Sequence, residues 1–197
     1  MWYRQLDAVF LDRDGTINVK APEGAYIGSP AQLRLLPGAG DAVRALNDAG
    51  VTVLVVTNQQ GVASGQMTLG DVDRVNNALA GRLRRCGSRI DRFYVCPHAD
   101  GTCGCRKPAP GLLLQAQGDY PSVRFDHSIM IGDSESDVEA ATRAGVPAIR
   151  LTREATVSAA SCVFPDLLSA VKAVASRGPN GLQHFKPNRG RVQFHTC

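Results

Sequence analysis

Asp12 and Asp14 stand one residue apart at the end of the apolar run Ala8-Val9-Phe10-Leu11. Residues i and i+2 of an extended chain point to the same side. The two carboxylates can therefore converge just past the carboxyl end of a strand, where Gly15 lets the chain turn away. Carboxylates that close repel each other unless a cation or a shared proton lies between them. The spacing points to a hard-metal site with oxygen donors, for which Mg2+ is the natural ion. Taken alone, the same residues also read as an Asp-Gly turn with both acids solvated.

Other parts of the chain add to the first reading. Asp133 follows the apolar run 128–131 as Asp12 follows its own run, which makes it a third carboxylate for the same cation. Asp137 lies one helical turn further on. It reads either as support for the metal or as the partner of Ser134 in a capping box, where an acid also favours the helix dipole. Lys107, between Arg106 and Pro108, could neutralise phosphoryl oxygens. Thr57 and Asn58 offer a hydroxyl, an amide and backbone N–H groups to an anion, or simply make a polar turn. Together these are the parts of a phosphoryl-transfer site. No GxxxxGK[ST] loop is present to hold a nucleotide, which favours a covalent aspartyl-phosphate over a nucleotide donor.

A second constellation is sulfur-rich. Cys96, His98, Cys103 and Cys105 fall within ten residues. Three thiolates and one imidazole suit a tetrahedral structural Zn2+ with no open position, holding the loop that presents Arg106 and Lys107. The other reading of these cysteines is as small buried side chains. Cys86 and Cys162 are read that way outright.

The elements that must position these groups follow from periodicity. Strands are predicted over 7–11, 51–56, 91–95, 128–131 and 147–151, with a minor one over 162–164. Helices are predicted over 38–49, 68–85, 110–117, 134–144 and 166–176. Thr68 and Asp71 form a capping box on the second helix, and Gly50 and Gly145 act as stops. Residues 18–32 are a loop leaving the acid pair. Alternation of this kind implies a single Rossmann-like α/β domain, a parallel sheet flanked by helices on both faces, joined by right-handed crossovers. Sites in such sheets form outside the carboxyl ends of the strands, where Asp12, Thr57, Cys96 and Asp133 all fall.

The ordered set DRDGT at 12–16, TN at 57–58, Lys107 and GDSESD at 132–137 resembles the four motifs of the haloacid dehalogenase superfamily of phosphatases, over residues 7 to about 150. The resemblance implies that Asp12 is the nucleophile and a Mg2+ ligand. Asp14 is then the general acid and base and gives its backbone carbonyl to the metal. Thr57 and Lys107 bind the phosphoryl group and Asp133 binds Mg2+. The zinc loop followed by CRKPAPG is similar to the branch containing the heptose-bisphosphate and histidinol-phosphate phosphatases. Members of that branch lack a large cap domain, and this chain has no insertion long enough for one. By the same resemblance Gly24, Ala25, Tyr26, Ile27, Asn58, Gln59, Gln60 and Arg106, together with Thr57 and Lys107, contact a sugar phosphate. Lys20-Ala21-Pro22 departs from that pattern.

Composition bounds the rest. The chain has 197 residues, 44% hydrophobic and 20% charged, enough for one domain, placed here at 1–176. Its net charge of +4 comes from a Gly-, Pro- and Asn-rich tail at 177–197, expected to be loosely ordered, with Arg177, Lys186, Arg189 and Arg191 and no acid. A charge-balanced body argues against a nucleic-acid partner, and against a DNA 3′-phosphatase. No apolar run approaches the ~18 residues of a membrane span. The start of the chain leaves no room for a signal peptide, so a cytoplasmic monomer acting on a small sugar phosphate is expected. Two rivals from another class remain. A receiver domain is disfavoured because its phosphorylated acid would follow the third strand, where this chain has Cys96. A zinc-stabilised phosphate-binding module without turnover keeps every motif.

Overall fold

The computed structural model describes residues 6–154 and 158–176. The tail expected from 177 onward, with Cys197, lies outside the described residues.

Six strands form one parallel sheet: β1 (Ala8–Leu11), β2 (Thr52–Asn58), β3 (Arg92–Cys96), β4 (Ser128–Gly132), β5 (Ala148–Leu151) and β6 (Cys162–Phe164). Their order is β3-β2-β1-β4-β5-β6, so β1 lies inside the sheet with β2 and β4 on either side. The helices are α1 (Ala39–Asp48), α2 (Leu69–Arg85), α3 (Gly111–Asp119), α4 (Glu135–Ala144) and α5 (Leu167–Ser176).

Alternate residues of each strand feed opposite layers, as the pleat requires. Val9, Leu11, Val53, Val55, Ile129 and Ile131 pack with the apolar stripes of α1, α2 and α5. Ala8, Phe10, Leu54, Val56 and Met130 pack with α3 and α4. The strands are apolar nearly throughout because both faces are covered. The predicted capping box on α2 is present, with the Asp71 N–H donating to the Thr68 hydroxyl at 3.1 Å. Gly145 ends α4 with φ +77. The link from β5 to β6 carries no helix among its described residues. No helix of the described residues is long and apolar enough to cross a membrane.

Three assignments need correction. Thr57 and Asn58 are the last two residues of β2 rather than a turn, because β3 continues alongside and pairs Cys96 with Asn58. Cys96 is likewise the last residue of β3 and is fully buried, so the sulfur loop begins inside the core. Cys86 is not a core residue: it caps the carboxyl end of α2 and is exposed. Cys162 is buried, as expected.

Candidate active site

β1 and β4 run in register, Leu11 beside Ile131, and the Asp12 N–H donates to the Ile131 carbonyl at 3.0 Å. That pairing brings the two strand-end acids together. Asp12, Asp133 and Asp137 each offer a carboxylate oxygen, and the three oxygens lie within 4.8 Å of one another. Gly15 and Gly132 make room for them. A Cβ on Gly15, whose φ is +90, would collide with the Asp133 carboxylate, and one on Gly132 with that of Asp137.

Lys107 reaches this cluster from the loop that follows β3. Its Nζ is 2.7 Å from Asp12 Oδ1 and 2.5 Å from Asp137 Oδ1, and it donates to the Val56 carbonyl at 2.9 Å. All three donors of the ammonium are used, although the side chain is almost entirely buried. Asn58 fixes the lysine backbone: its Nδ2 donates to the Lys107 carbonyl at 2.9 Å and its Oδ1 accepts from the Lys107 N–H at 3.1 Å. Asn58, expected to contact substrate, is also a clamp on Lys107.

Asp137 forms the predicted capping box and also pairs with Lys107. Its Oδ2 accepts from the Ser134 N–H at 3.1 Å and hydroxyl at 2.9 Å, closing the start of α4. Its Oδ1 faces Lys107. Asp133 faces the exposed Lys20 at 3.3 Å.

Electrostatics follow from this crowding. Burial pushes the Asp12 carboxyl up to about 7; Lys107 opposes that shift, and the negative charges of Asp137 and Asp133 add to it. Burial also raises Asp133 above the ordinary carboxylate value. For Lys107 burial acts downward, but Asp12 and Asp137 outweigh it and hold the ammonium above the usual lysine value. Two carboxylates thus face one buried ammonium, and the third, Asp133, faces an exposed one. The excess negative charge, on hard oxygen donors, fits a divalent cation of the Mg2+ type.

Asp14 differs from the expectation that both acids of the pair converge. Its carboxylate is drawn away from the cluster, because better donors surround it on the other side. It accepts from Arg13 Nη2 at 2.9 Å, Asn18 Nδ2 at 2.8 Å and Gln59 Nε2 at 2.8 Å. Gln59, expected to touch substrate, is buried and instead ties Asp14 to the Thr57 hydroxyl, to which it donates at 2.9 Å. Gln60 accepts from Arg106 Nη2 at 2.8 Å.

The carboxylates open into a cleft of about 560 Å3. Asp12, Asp14, Thr57, Asn58, Lys107 and Asp133 form its floor. Residues 20–27, with Gly24, Ala25, Tyr26 and Ile27, and Arg106, Ser134, Ser136 and Asp137 line the rest of it. Gln59 and Gln60 are not among the residues that line it.

Beside the cleft, Cys96, His98, Cys103 and Cys105 gather. Their sulfur–sulfur distances are 3.3, 3.3 and 3.6 Å, and His98 Nδ1 lies 3.3 Å from Cys105 Sγ and 3.6 Å from Cys96 Sγ. A tetrahedron with metal–sulfur bonds of ~2.3 Å has edges of about 3.8 Å. The three sulfurs therefore sit slightly inside the positions that the ligands of such an ion would take. At Cys103 burial acts upward, but the Cys105 thiol and the Arg106 N–H outweigh it and bring the thiol down to about 6. Burial, with the neighbouring Cys96 and Cys103, pushes Cys105 up to about 12. This is a possible Cys/His metal site whose protons a cation would displace.

An open parallel sheet with carboxylates and a lysine at its carboxyl rim is the setting of a phosphoryl-transfer site, and the chain's relatives make it that of a hydrolase. Residues 104–162 match the HAD-hydrolase-like family model. A D-glycero-beta-D-manno-heptose-1,7-bisphosphate 7-phosphatase of Rhodopseudomonas palustris is 43% identical over 75% of this chain and 84% of its own. A D-glycero-alpha-D-manno-heptose-1,7-bisphosphate 7-phosphatase of Mycobacterium tuberculosis is 38% identical over 88% and 94%. A crystal structure of the D,D-heptose 1,7-bisphosphate phosphatase of B. bronchiseptica, complexed with magnesium and phosphate, superposes with a TM-score of 0.78 at 28% identity, covering 87% of this chain and 99% of that one. The chain belongs to the haloacid dehalogenase-like hydrolases, in the family of the heptose-1,7-bisphosphate 7-phosphatases.

Proposed function

We propose that this protein hydrolyses the 7-phosphate of D-glycero-D-manno-heptose 1,7-bisphosphate through a phosphorylated Asp12. The observation that carries this is the buried Lys107 ammonium joined to Asp12 and Asp137 beside Asp133. That arrangement is suited to gathering phosphoryl oxygens against a nucleophilic carboxylate.

A carboxylate oxygen of Asp12 attacks phosphorus, and the bond to the sugar oxygen breaks. Asp14 gives that oxygen its proton. Asp14 then takes a proton from the water that attacks the Asp12-bound phosphoryl group, and inorganic phosphate leaves. The positive charge of Lys107, kept at the cluster by Asp137 and the Val56 carbonyl, and the Thr57 hydroxyl stabilise the phosphoryl oxygens through both steps. Asp12, Asp133 and the Asp14 carbonyl would hold Mg2+, which when bound offsets the charge of the carboxylates and of the phosphoryl group. The sulfur cluster would hold a structural Zn2+, tying the loop that carries Arg106 and Lys107 to the end of β3. Residues 24–27 and Arg106 face the sugar and its second phosphate, and Gln59 and Gln60 act from behind them. The body at 1–176 carries all of this as one domain, and the protein acts as a cytoplasmic monomer.

The test is phosphate release, with Mg2+, from both anomers of heptose 1,7-bisphosphate, from histidinol phosphate and from hexose phosphates. Preference for one heptose anomer, lost in Asp12→Asn, is the expected result, and it also decides between the alpha and beta substrates of the two relatives. Preference for histidinol phosphate would overturn the substrate. No release at all from a folded protein would overturn the activity in favour of a phosphate-binding module.

A further inference from the structure

We propose that Asn76, on the buried face of α2, is a positioning residue for Asp14, acting through the guanidinium of Arg13. The inference rests on the reading of Asp14 as the acid and base of the proposed reaction.

Arg13 has no exposed surface and is the largest fully buried side chain among the described residues. A buried guanidinium is costly unless it is paired and its N–H groups are used. The only carboxylate within ion-pair distance of it among the described residues is Asp14. Toward Asp14 it presents a fork: Nη2 lies 2.9 Å from Oδ2 and 3.3 Å from Oδ1, and Nε lies 3.3 Å from Oδ1. A planar fork of this kind sets the plane of the carboxylate as well as its position.

The fork is steadied from behind. Arg13 Nη1 donates to Asn76 Oδ1 at 2.9 Å, a bond between buried side chains. Asn76 sits among Val72, Val75, Leu79 and Leu83, which are the apolar face of α2. An amide there is out of place for a helix that only needs to bury itself. Its partner explains it: the helix is a rigid, capped support, and Asn76 is the point at which it holds the guanidinium. Asn18 and Gln59 complete the set from the other sides, each donating to one Asp14 oxygen at 2.8 Å. The Asp14 carboxylate is thus held by donors from its own loop, from the residue after β2 and, through Arg13, from α2.

The chemistry gives this role its own signature. An alkoxide is a poor leaving group, so splitting the sugar phosphate needs the proton of Asp14. 4-Nitrophenolate leaves without one. kcat/KM covers the steps up to phosphorylation of Asp12, in which Asp14 acts only as acid. A mispositioned Asp14 therefore lowers kcat/KM for the sugar phosphate far more than for 4-nitrophenyl phosphate.

The experiment compares the two substrates in Asn76→Ala and Asn76→Asp. For Asn76→Ala the sugar-to-aryl ratio of kcat/KM is expected to fall about 10- to 100-fold, the range for a displaced proton donor. Asn76→Asp keeps an acceptor oxygen in place and is expected to hold the ratio within about 3-fold of the parent protein. An equal loss on both substrates, or a ratio in Asn76→Asp as low as in Asn76→Ala, would overturn the proposal. If Asn76→Ala does not fold, Asn76→Ser is read in the same way. Failure of both to fold beside a folded Asn76→Asp would make Asn76 a residue of the fold alone and also overturn it. Asp12→Asn separates this from the underlying reading: turnover of either substrate by that variant, or none by the parent protein, would sink the acid–base scheme itself.

Discussion

Asp12, Asp133 and Asp137 come from the ends of two strands and the start of a helix that are remote in the chain, whereas Cys96, His98, Cys103 and Cys105 come from ten consecutive residues. The oxygen cluster is buried and exists only because β1 and β4 pair in register. The sulfur cluster needs one anchor in the sheet, Cys96, and folds the rest locally. The first places like charges together at the rim of the core, where the Lys107 ammonium offsets only part of them. The second can change its charge by losing thiol protons as a metal enters. Lys107 lies between them, with its backbone two residues past Cys105 and its ammonium in the oxygen cluster. One cluster is therefore suited to chemistry, the other to holding the chain that delivers the lysine.

The sharpest way to break this division is at the nucleophile. Asp12→Asn is expected to lower turnover by about a thousandfold or more while leaving the zinc content of the protein unchanged. Phosphate release and metal analysis on the same sample check both halves. If zinc is lost together with turnover, the two clusters are one unit.

The reverse experiment removes the sulfur site. Cys103→Ser is expected to cost about 2 kcal/mol, read as a melting temperature lower by about 4–8 °C, because a chain of this size shifts by about 2–4 °C per kcal/mol. Removing Mg2+ with a chelator is expected to abolish turnover reversibly with a much smaller change in melting temperature.

Two glycines sharpen the contrast at the level of single atoms. A Cβ on Gly132 would strike the Asp137 carboxylate, and one on Gly111 would strike the Gly104 carbonyl within the cysteine loop. Each replacement by alanine is expected to destabilise by about 1–3 kcal/mol through overpacking. Gly132→Ala is expected to reduce turnover and keep zinc, and Gly111→Ala to weaken zinc binding first. Thermal unfolding with and without chelator separates them.

How much of this the sequence revealed depended on whether a residue's partners were near it in the pattern. Asp12 and Asp133 were legible because each ends an apolar run, and Lys107 because it sits in a motif. The cysteine loop announced itself by spacing alone. Asn76 stands out as an amide on the apolar stripe of α2, but nothing in the sequence names its partner, since an amide on one helix and an arginine on a remote strand end share no periodicity. The turn of the Asp14 carboxylate away from Asp12 was hidden for the same reason: alternation gives a side, and the donors that outcompete that side are set by tertiary packing. Thr57 and Asn58 look like turn residues in isolation. Only the neighbouring β3 keeps them extended.

The smallest expected effect lies far from both clusters. Asp7, just before β1, accepts from the Arg124 N–H at 2.9 Å and from its Nε at 2.8 Å. The Arg124 hydrogen bond, working against burial, holds this carboxyl below its usual value. A carboxyl lowered in the folded state stabilises the protein fully above its unfolded pKa of about 3.9, and that contribution is lost as pH falls through the lower folded value. Asp7→Asn is therefore expected to cost about 0.5–1 kcal/mol at neutral pH, a partly exposed pair being screened by solvent. The difference should close in acid, as denaturant midpoints at pH 7 and near pH 3 would show.

The register of Ala8 with Ser128 also sets an order of events during synthesis. The sulfur ligands are all on the chain once Cys105 has been made, while Asp12 must wait, near the start of a growing polypeptide, for a strand made much later. If the sulfur site takes zinc as proposed, a nascent chain has its ligands long before it has a complete phosphoryl site. A ribosome stalled between these points would carry every sulfur ligand of the proposed zinc site and a catalytically silent chain.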